Sequence, residues 1–242
     1  MDCSVGLMKV VIFQPPYPGE GTAAAAEACQ NWMLEALREL TKEAAELVLL
    51  PEYANAPGLD EIELQRSFAA AQGSVFLESV RDESARLGCL IAVGVVERFG
   101  QRWLNGVVVF DGGTRLEPLA EKVHLTRFES EDLDLTAGSR VAIREHAGLR
   151  LGFAPCFDLY FPGYAEAMAN LEVDLILSPS YQRSESPDRI RLLAQARALD
   201  AGAALVRSSY AMEDARTGGE SLAVRADGTV VATAGGTAGV LI

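Results

Sequence analysis

Histidine is almost missing from this chain: 242 residues contain two, His124 and His146. Neither stands in a His–x–x–x–His spacing or beside paired cysteines, so no metal site is expected. Cysteine is sparse as well, with Cys3, Cys29, Cys89 and Cys156 lacking both Cys–x–x–Cys pairing and dense spacing. That excludes a disulfide scaffold and fits a reducing compartment. Cationic residues are outnumbered, 21 Lys and Arg against 34 Asp and Glu, giving a formal charge of −13; a polyanion would be repelled on average, so no nucleic-acid partner is expected. Apolar runs are of strand length only, so no membrane partner or spanning helix is expected. The start, Met1–Asp2–Cys3–Ser4, lacks a basic segment followed by a long apolar core, which argues against a secretory leader and for a soluble, cytoplasmic protein. Linkers, fixed-period repeats and low-complexity tracts are absent apart from Ala23 to Ala26. Residues 1–242 are therefore read as a single domain.

What is present is an alternation of strand-like and helix-like segments. Leu7 to Gln14 is apolar and β-branched and runs into the turn-rich Pro15–Pro16–Tyr17–Pro18–Gly19. Thr22 can cap a helix to about Leu40, with Cys29, Met33, Ala36, Leu37 and Leu40 at helical spacing on one face. Leu47 to Leu50 is apolar on both faces, as a covered central strand would be. A helix from Ser74 to Leu87 precedes a strand from Cys89 to Glu97, and both Cys29 and Cys89 read as core filler. Strands Trp103 to Phe110 and Leu116 to Leu125 flank the hairpin signal Asp111–Gly112–Gly113. Thr126 to Arg140 is then a loop, and Val141 to Arg144 with Leu149 to Pro155 a second hairpin. A helix at Pro162 to Leu171, a strand at Val173 to Ser178, a helix at Asp188 to Ala201 and a strand at Ala204 to Ser209 follow. The end is a hairpin, Ser221–Arg225 and Thr229–Thr233 around Asp227–Gly228, and a short strand from Gly239 to Ile242. Gly235 to Gly239 superficially resembles a phosphate loop, but no helix follows it and a turn is the better reading. Hairpins mixed with β–α units argue against a plain Rossmann sheet. They favour an α/β fold of two sheets packed face to face with helices outside.

Three segments place chargeable or nucleophilic groups at strand ends. Leu149 to Pro155 stops at Cys156, with polar and turn-forming residues behind it; Leu47 to Pro51 stops at Glu52; and Lys122 lies in the strand-like Glu121–Lys122–Val123–His124–Leu125. A thiol presented where backbone N–H groups turn over can attack an electrophile and have the oxyanion received by those amides.

In their order and spacing these three segments resemble the nitrilase superfamily of carbon–nitrogen hydrolases. The resemblance runs from about Lys9 to the chain end and takes in Asn105 and the helix Gln195–Ala196–Arg197–Ala198–Leu199–Asp200. It implies a four-layer αββα sandwich and a Glu–Lys–Cys triad of Glu52, Lys122 and Cys156. In the implied chemistry Glu52 takes the thiol proton, Cys156 attacks the carbonyl carbon, and Lys122 with the Phe157 backbone N–H holds the oxyanion. No cofactor is expected, and the substrate would be a small linear amide or N-carbamoyl compound. A second glutamate of the family falls on Glu129 by the interval from Lys122 and on Glu131 by the interval back from Gly138; Glu129 is preferred here. His124 is expected to be structural, and Asp158 to hold the turn behind the nucleophile. Tyr53, Phe157, Tyr160 and Tyr181 are candidates for the substrate pocket, and Arg127 or Arg183 for binding a substrate carboxylate. The chain departs from the family pattern at Tyr160, where Arg is frequent, at Gly163, where Glu is usual, and at Pro155 before the nucleophile. Alternative readings are a catalytically silent binding protein of the same fold and a soluble acyltransferase. The resemblance further implies a homodimer paired through the segment Tyr164 to Leu171.

Overall fold

The computed structural model describes residues 8–214 and 216–242. Cys3 and the expected strand start at Leu7 lie outside the described residues. Strand β1 (Val10–Gln14) leads to helix α1 (Ala23–Glu39), whose Thr22 cap accepts a hydrogen bond from the Ala25 N–H, and then to β2 (Leu47–Leu49). Helices α2 (Ile62–Ala70) and α3 (Gln72–Leu87) precede β3 (Leu90–Phe99), β4 (Arg102–Asp111) and β5 (Thr114–Glu121). The hairpin β6 (Ile143–His146) and β7 (Leu149–Phe153) leads to helix α4 (Pro162–Asn170) and β8 (Leu175–Pro179). Helix α5 (Pro187–Ala201), β9 (Ala204–Ser208), β10 (Leu222–Val224), β11 (Val230–Thr233) and β12 (Gly239–Leu241) complete the order.

The strands form two sheets of six, ordered β12-β1-β2-β3-β4-β5 and β11-β10-β9-β8-β7-β6. Period-two alternation decides which layer each side chain joins. On β1, Val11 and Phe13 pack with Met33, Leu37, Phe76 and Val80 of α1 and α3, while Ile12 faces the other sheet. On β8, Ile176 packs with Met168, Ala194 and Ala198 of α4 and α5, and Leu175 and Leu177 point inward to meet Leu47, Leu49 and Val109. The αββα order thus follows from strands apolar on both faces, each buried Val, Leu or Ile contributing about 1.5–3 kcal/mol.

Two expectations are corrected and one helix is added. Helix α2 has no start signal in the sequence because its cap is Glu61, whose carboxylate accepts from the Glu63 and Leu64 N–H groups, and glutamate is not among the usual capping residues. Strand β5 stops at Glu121 rather than Leu125, because the Asp158 carboxylate takes the backbone N–H groups of Val123 and His124, at 3.2 and 2.7 Å, away from any ladder. The loop after it contains a π-helical turn, Phe128–Asp132.

Candidate active site

The carboxyl ends of β2, β5 and β7 converge. At the end of β2 the chain breaks into a tight turn through Glu52 and Tyr53, with Tyr53 at φ 58°, outside the conformations a tyrosine favours. The turn is fastened by the Ala54 N–H donating to Gly94 O at 2.8 Å and by the Tyr210 hydroxyl donating to Glu52 O at 2.8 Å. Gly94 permits this approach, since a Cβ there would lie 2.4 Å from Glu52 Cα. Lys122 follows β5 directly. Its N–H donates to Asn105 O at 2.8 Å and its carbonyl accepts from the Gly138 N–H at 2.7 Å, so its backbone is held on both sides. Cys156 begins a 3-10 turn (Cys156–Tyr160) at φ 43°, a second strained residue.

Inside the molecule the Lys122 ammonium lies between two carboxylates. Nζ is 2.7 Å from Glu52 Oε1 and 2.7 and 2.9 Å from the two oxygens of Glu129. The side chains of Lys122 and Glu52 are each 1% exposed and that of Glu129 is 4% exposed. Asn105 Nδ2 reaches Glu52 Oε1 at 2.8 Å, Glu129 Oε1 at 2.6 Å and the Tyr53 hydroxyl at 2.9 Å, while the Tyr53 hydroxyl donates to Glu129 Oε1 at 2.6 Å. The N–H and hydroxyl of Thr126 complete the shell of Glu129.

This environment pushes the two carboxyl groups apart. Burial raises Glu129, but Lys122 and the hydrogen bonds outweigh it and lower its pKa to about 2. Burial raises Glu52 above the usual carboxylate range, the Glu129 charge adding to the effect and Lys122 opposing it. Burial also works against the Lys122 ammonium, yet the flanking carboxylates hold it above its ordinary value. The Cys156 thiol is pushed well up by burial and by Glu52. The thiol therefore holds its proton until a base receives it. One buried carboxyl group is thus held ionised while its neighbour is held above the usual carboxylate range.

Glu52, Lys122, Glu129 and Cys156 line one cavity of about 250 Å³, together with Tyr53, Phe157, Tyr160 and Tyr181. All four aromatic positions singled out from the sequence thus border the same space, although the Tyr53 hydroxyl is committed to Glu129. Glu131 does not: its carboxylate is 59% exposed and pairs with Arg127, itself 86% exposed, at 2.7 Å. Arg127 therefore points away from the cavity. Arg183 lines the cavity, but its guanidinium is 2.5 Å from Asp60 and lies over the Tyr181 ring. His124 has the expected structural setting, its ring stacked on Phe161 and its Nδ1 2.7 Å from Asp158. Asn105 was absent from the candidate site residues. Its signal was an amide in the otherwise apolar Leu104–Phe110 run, where a strand buried on both faces has no water to satisfy it. No cluster of three or more His, Cys, Asp or Glu side chains able to hold a metal occurs among the described residues. No described helix is long and apolar enough to cross a membrane.

The sequence profile of carbon–nitrogen hydrolases matches residues 9–242. The chain belongs to the carbon–nitrogen hydrolase family. Within it, a chloroplastic omega-amidase of Arabidopsis thaliana is 29% identical over 178 residues, 69% of this chain and 48% of that protein, so the chain spans about half the length of this relative. An omega-amidase of Xenopus laevis is 25% identical over 218 residues, covering 85% of this chain and 78% of its own. Among solved structures, a variant of a Nesterenkonia amidase carrying acrylamide added at its active-site cysteine superposes with a TM-score of 0.78. It is 17% identical over 97% of this chain and 91% of that one, a likeness of fold. The two-sheet sandwich is thus the nitrilase-superfamily fold.

Proposed function

We propose that the protein hydrolyses the C–N bond of a small linear amide through a thioester on Cys156. The observation that carries the reading is the ammonium of Lys122 clamped by Glu52 and Glu129 on the wall of the cavity that Cys156 lines. In the first half-reaction the Cys156 sulfur bonds to the carbonyl carbon as Glu52 takes the thiol proton. Lys122 turns an N–H from its doubly bonded Glu129 toward the new oxyanion, assisted by the Phe157 backbone N–H. Glu52 then protonates the leaving nitrogen, the C–N bond breaks and ammonia departs. In the second half-reaction Glu52 takes a proton from water as it attacks the thioester; the C–S bond breaks, the thiolate regains the proton and the free acid leaves.

A cavity of about 250 Å³ is below the ~300–1,000 Å³ typical of drug-sized sites, which favours a short substrate. The amidase likenesses support amide over nitrile. Intact-mass measurement after brief incubation with a panel of short aliphatic amides tests the reading. An acyl adduct on the wild type that is lost in Cys156→Ala, together with turnover, is the expected result; equal hydrolysis by Cys156→Ala would overturn it.

A further inference from the structure

The wall of the cavity opposite in chemistry to the Lys122 cluster carries a carboxylate that the reaction above does not use. Glu185 lines the cavity, and no described cation lies within 4.0 Å of its oxygens, by contrast with Asp60, which Arg183 neutralises at 2.5 Å. Its partners are hydroxyls: Tyr160 donates to Oε1 at 3.0 Å and Ser184 to Oε2 at 3.4 Å.

Its placement follows from a directed chain of hydrogen bonds rooted in the core. Arg207 is fully buried on β9 and can only donate; Nε and Nη2 reach Gln182 Oε1 at 3.1 and 2.8 Å, and Nη1 reaches the carbonyls of Gly219 and Glu220. The Gln182 carbonyl must therefore face inward, which turns its amide N–H toward the Tyr160 hydroxyl at 3.1 Å. Because a carboxylate can only accept, Tyr160 gives its own proton to Glu185. The Tyr160 ring lies 5.2 Å from that of Phe157, so the carboxylate is set beside an aromatic wall; Arg189 lies over the Tyr160 ring at 5.6 Å. A carboxylate held next to aromatic rings is the chemistry that selects an organic cation.

We infer that Glu185 selects the far end of the substrate, and that the preferred substrates are short amides ending in a protonated amine. This rests on the amidase reading above. It separates the chain from enzymes that grip a carboxylate-ended amide, because Arg183, the one arginine lining the cavity among the described residues, is already paired and Glu185 would repel such a terminus.

Three isosteric or near-isosteric probes test it: 4-aminobutanamide, pentanamide and succinamate, which end in an ammonium, a methyl and a carboxylate. The expected order of kcat/KM is ammonium, then methyl, then carboxylate, with the ammonium preference shrinking at high salt. Glu185→Gln, which can still accept from Tyr160, should lower the ratio of 4-aminobutanamide to pentanamide by about five- to tenfold, the size of one ion pair in a partly screened site. The ratio is internal to each variant, so a change in the amount of folded protein does not enter it. Pentanamide turnover without an ammonium preference, or an unchanged ratio in Glu185→Gln, would overturn the inference and leave amide hydrolysis standing. Failure to turn over any of the three would overturn the amidase reading and this inference with it.

Discussion

Lys122 is the residue on which the site's electrostatics depend. It holds two buried carboxylates together, so its removal does more than delete the oxyanion donor of the proposed reaction. Lys122→Ala should lower kcat by on the order of 10² to 10³. It should also destabilise the fold by roughly 3–5 kcal/mol, the cost of leaving buried charge without its partner. Activity assays paired with denaturant unfolding check both. A variant of full stability would mean that Glu52 and Glu129 share a proton in place of the lysine. At this scale Lys122 stood inside a strand-like stretch read as continuing to Leu125, but the positions of Glu52 and Cys156 were legible as breaks after apolar runs. The choice between Glu129 and Glu131 was not. Two glutamates two residues apart differ only in which side of a π-helical turn they occupy, and the local sequence carries no trace of that turn's pitch.

Among elements, β3 matters for the approach it allows. A Cβ at Gly94 would meet Glu52 Cα at 2.4 Å and Pro51 O at 2.6 Å, both backbone atoms that cannot swing aside. Gly94→Ala should therefore displace the Glu52 turn, with kcat falling at least tenfold and stability by about 1–3 kcal/mol. Full activity in this variant would show that the turn can move outward without cost to the site. Strands and long helices were legible because their apolar periods of two and 3.6 are strong; the exceptions were elements defined by distant partners. The end of β5 is set by Asp158, thirty-odd residues along the chain, and α2 by an atypical cap, so neither boundary is encoded where it occurs. The same bonds have a second effect. By holding the amides just after Lys122 to the turn just after Cys156, Asp158 sets the spacing of lysine and thiol independently of either sheet.

For the whole molecule, we propose a two-fold homodimer through α4. A surface groove beside this helix is lined by Val123, Val141, Phe161, Tyr164, Ala167 and Leu171, and Leu192 and Leu199 on the neighbouring α5 are 68% and 56% exposed. Apolar side chains left exposed along two adjacent helices favour self-association over solvent. Sedimentation velocity at micromolar concentration should give a dimer, and Leu192→Glu combined with Leu199→Glu should shift it toward monomer; a wild-type monomer would exclude this interface.

The pairing of β12 with β1, Leu241 opposite Ile12 and Gly239 opposite Gln14, bears on how the chain reaches this state. Strand β1 is flanked on one side by β12, and the buried Gln14 amide waits for the carbonyls of Gly235 and Thr237. Such a contact gains nothing until the longest loop in the molecule has closed, so it belongs to the late, slow part of folding. During synthesis β1 emerges with an open edge and keeps it until β12 clears the ribosome, a window in which its Val10–Gln14 backbone can pair with a neighbouring nascent chain instead.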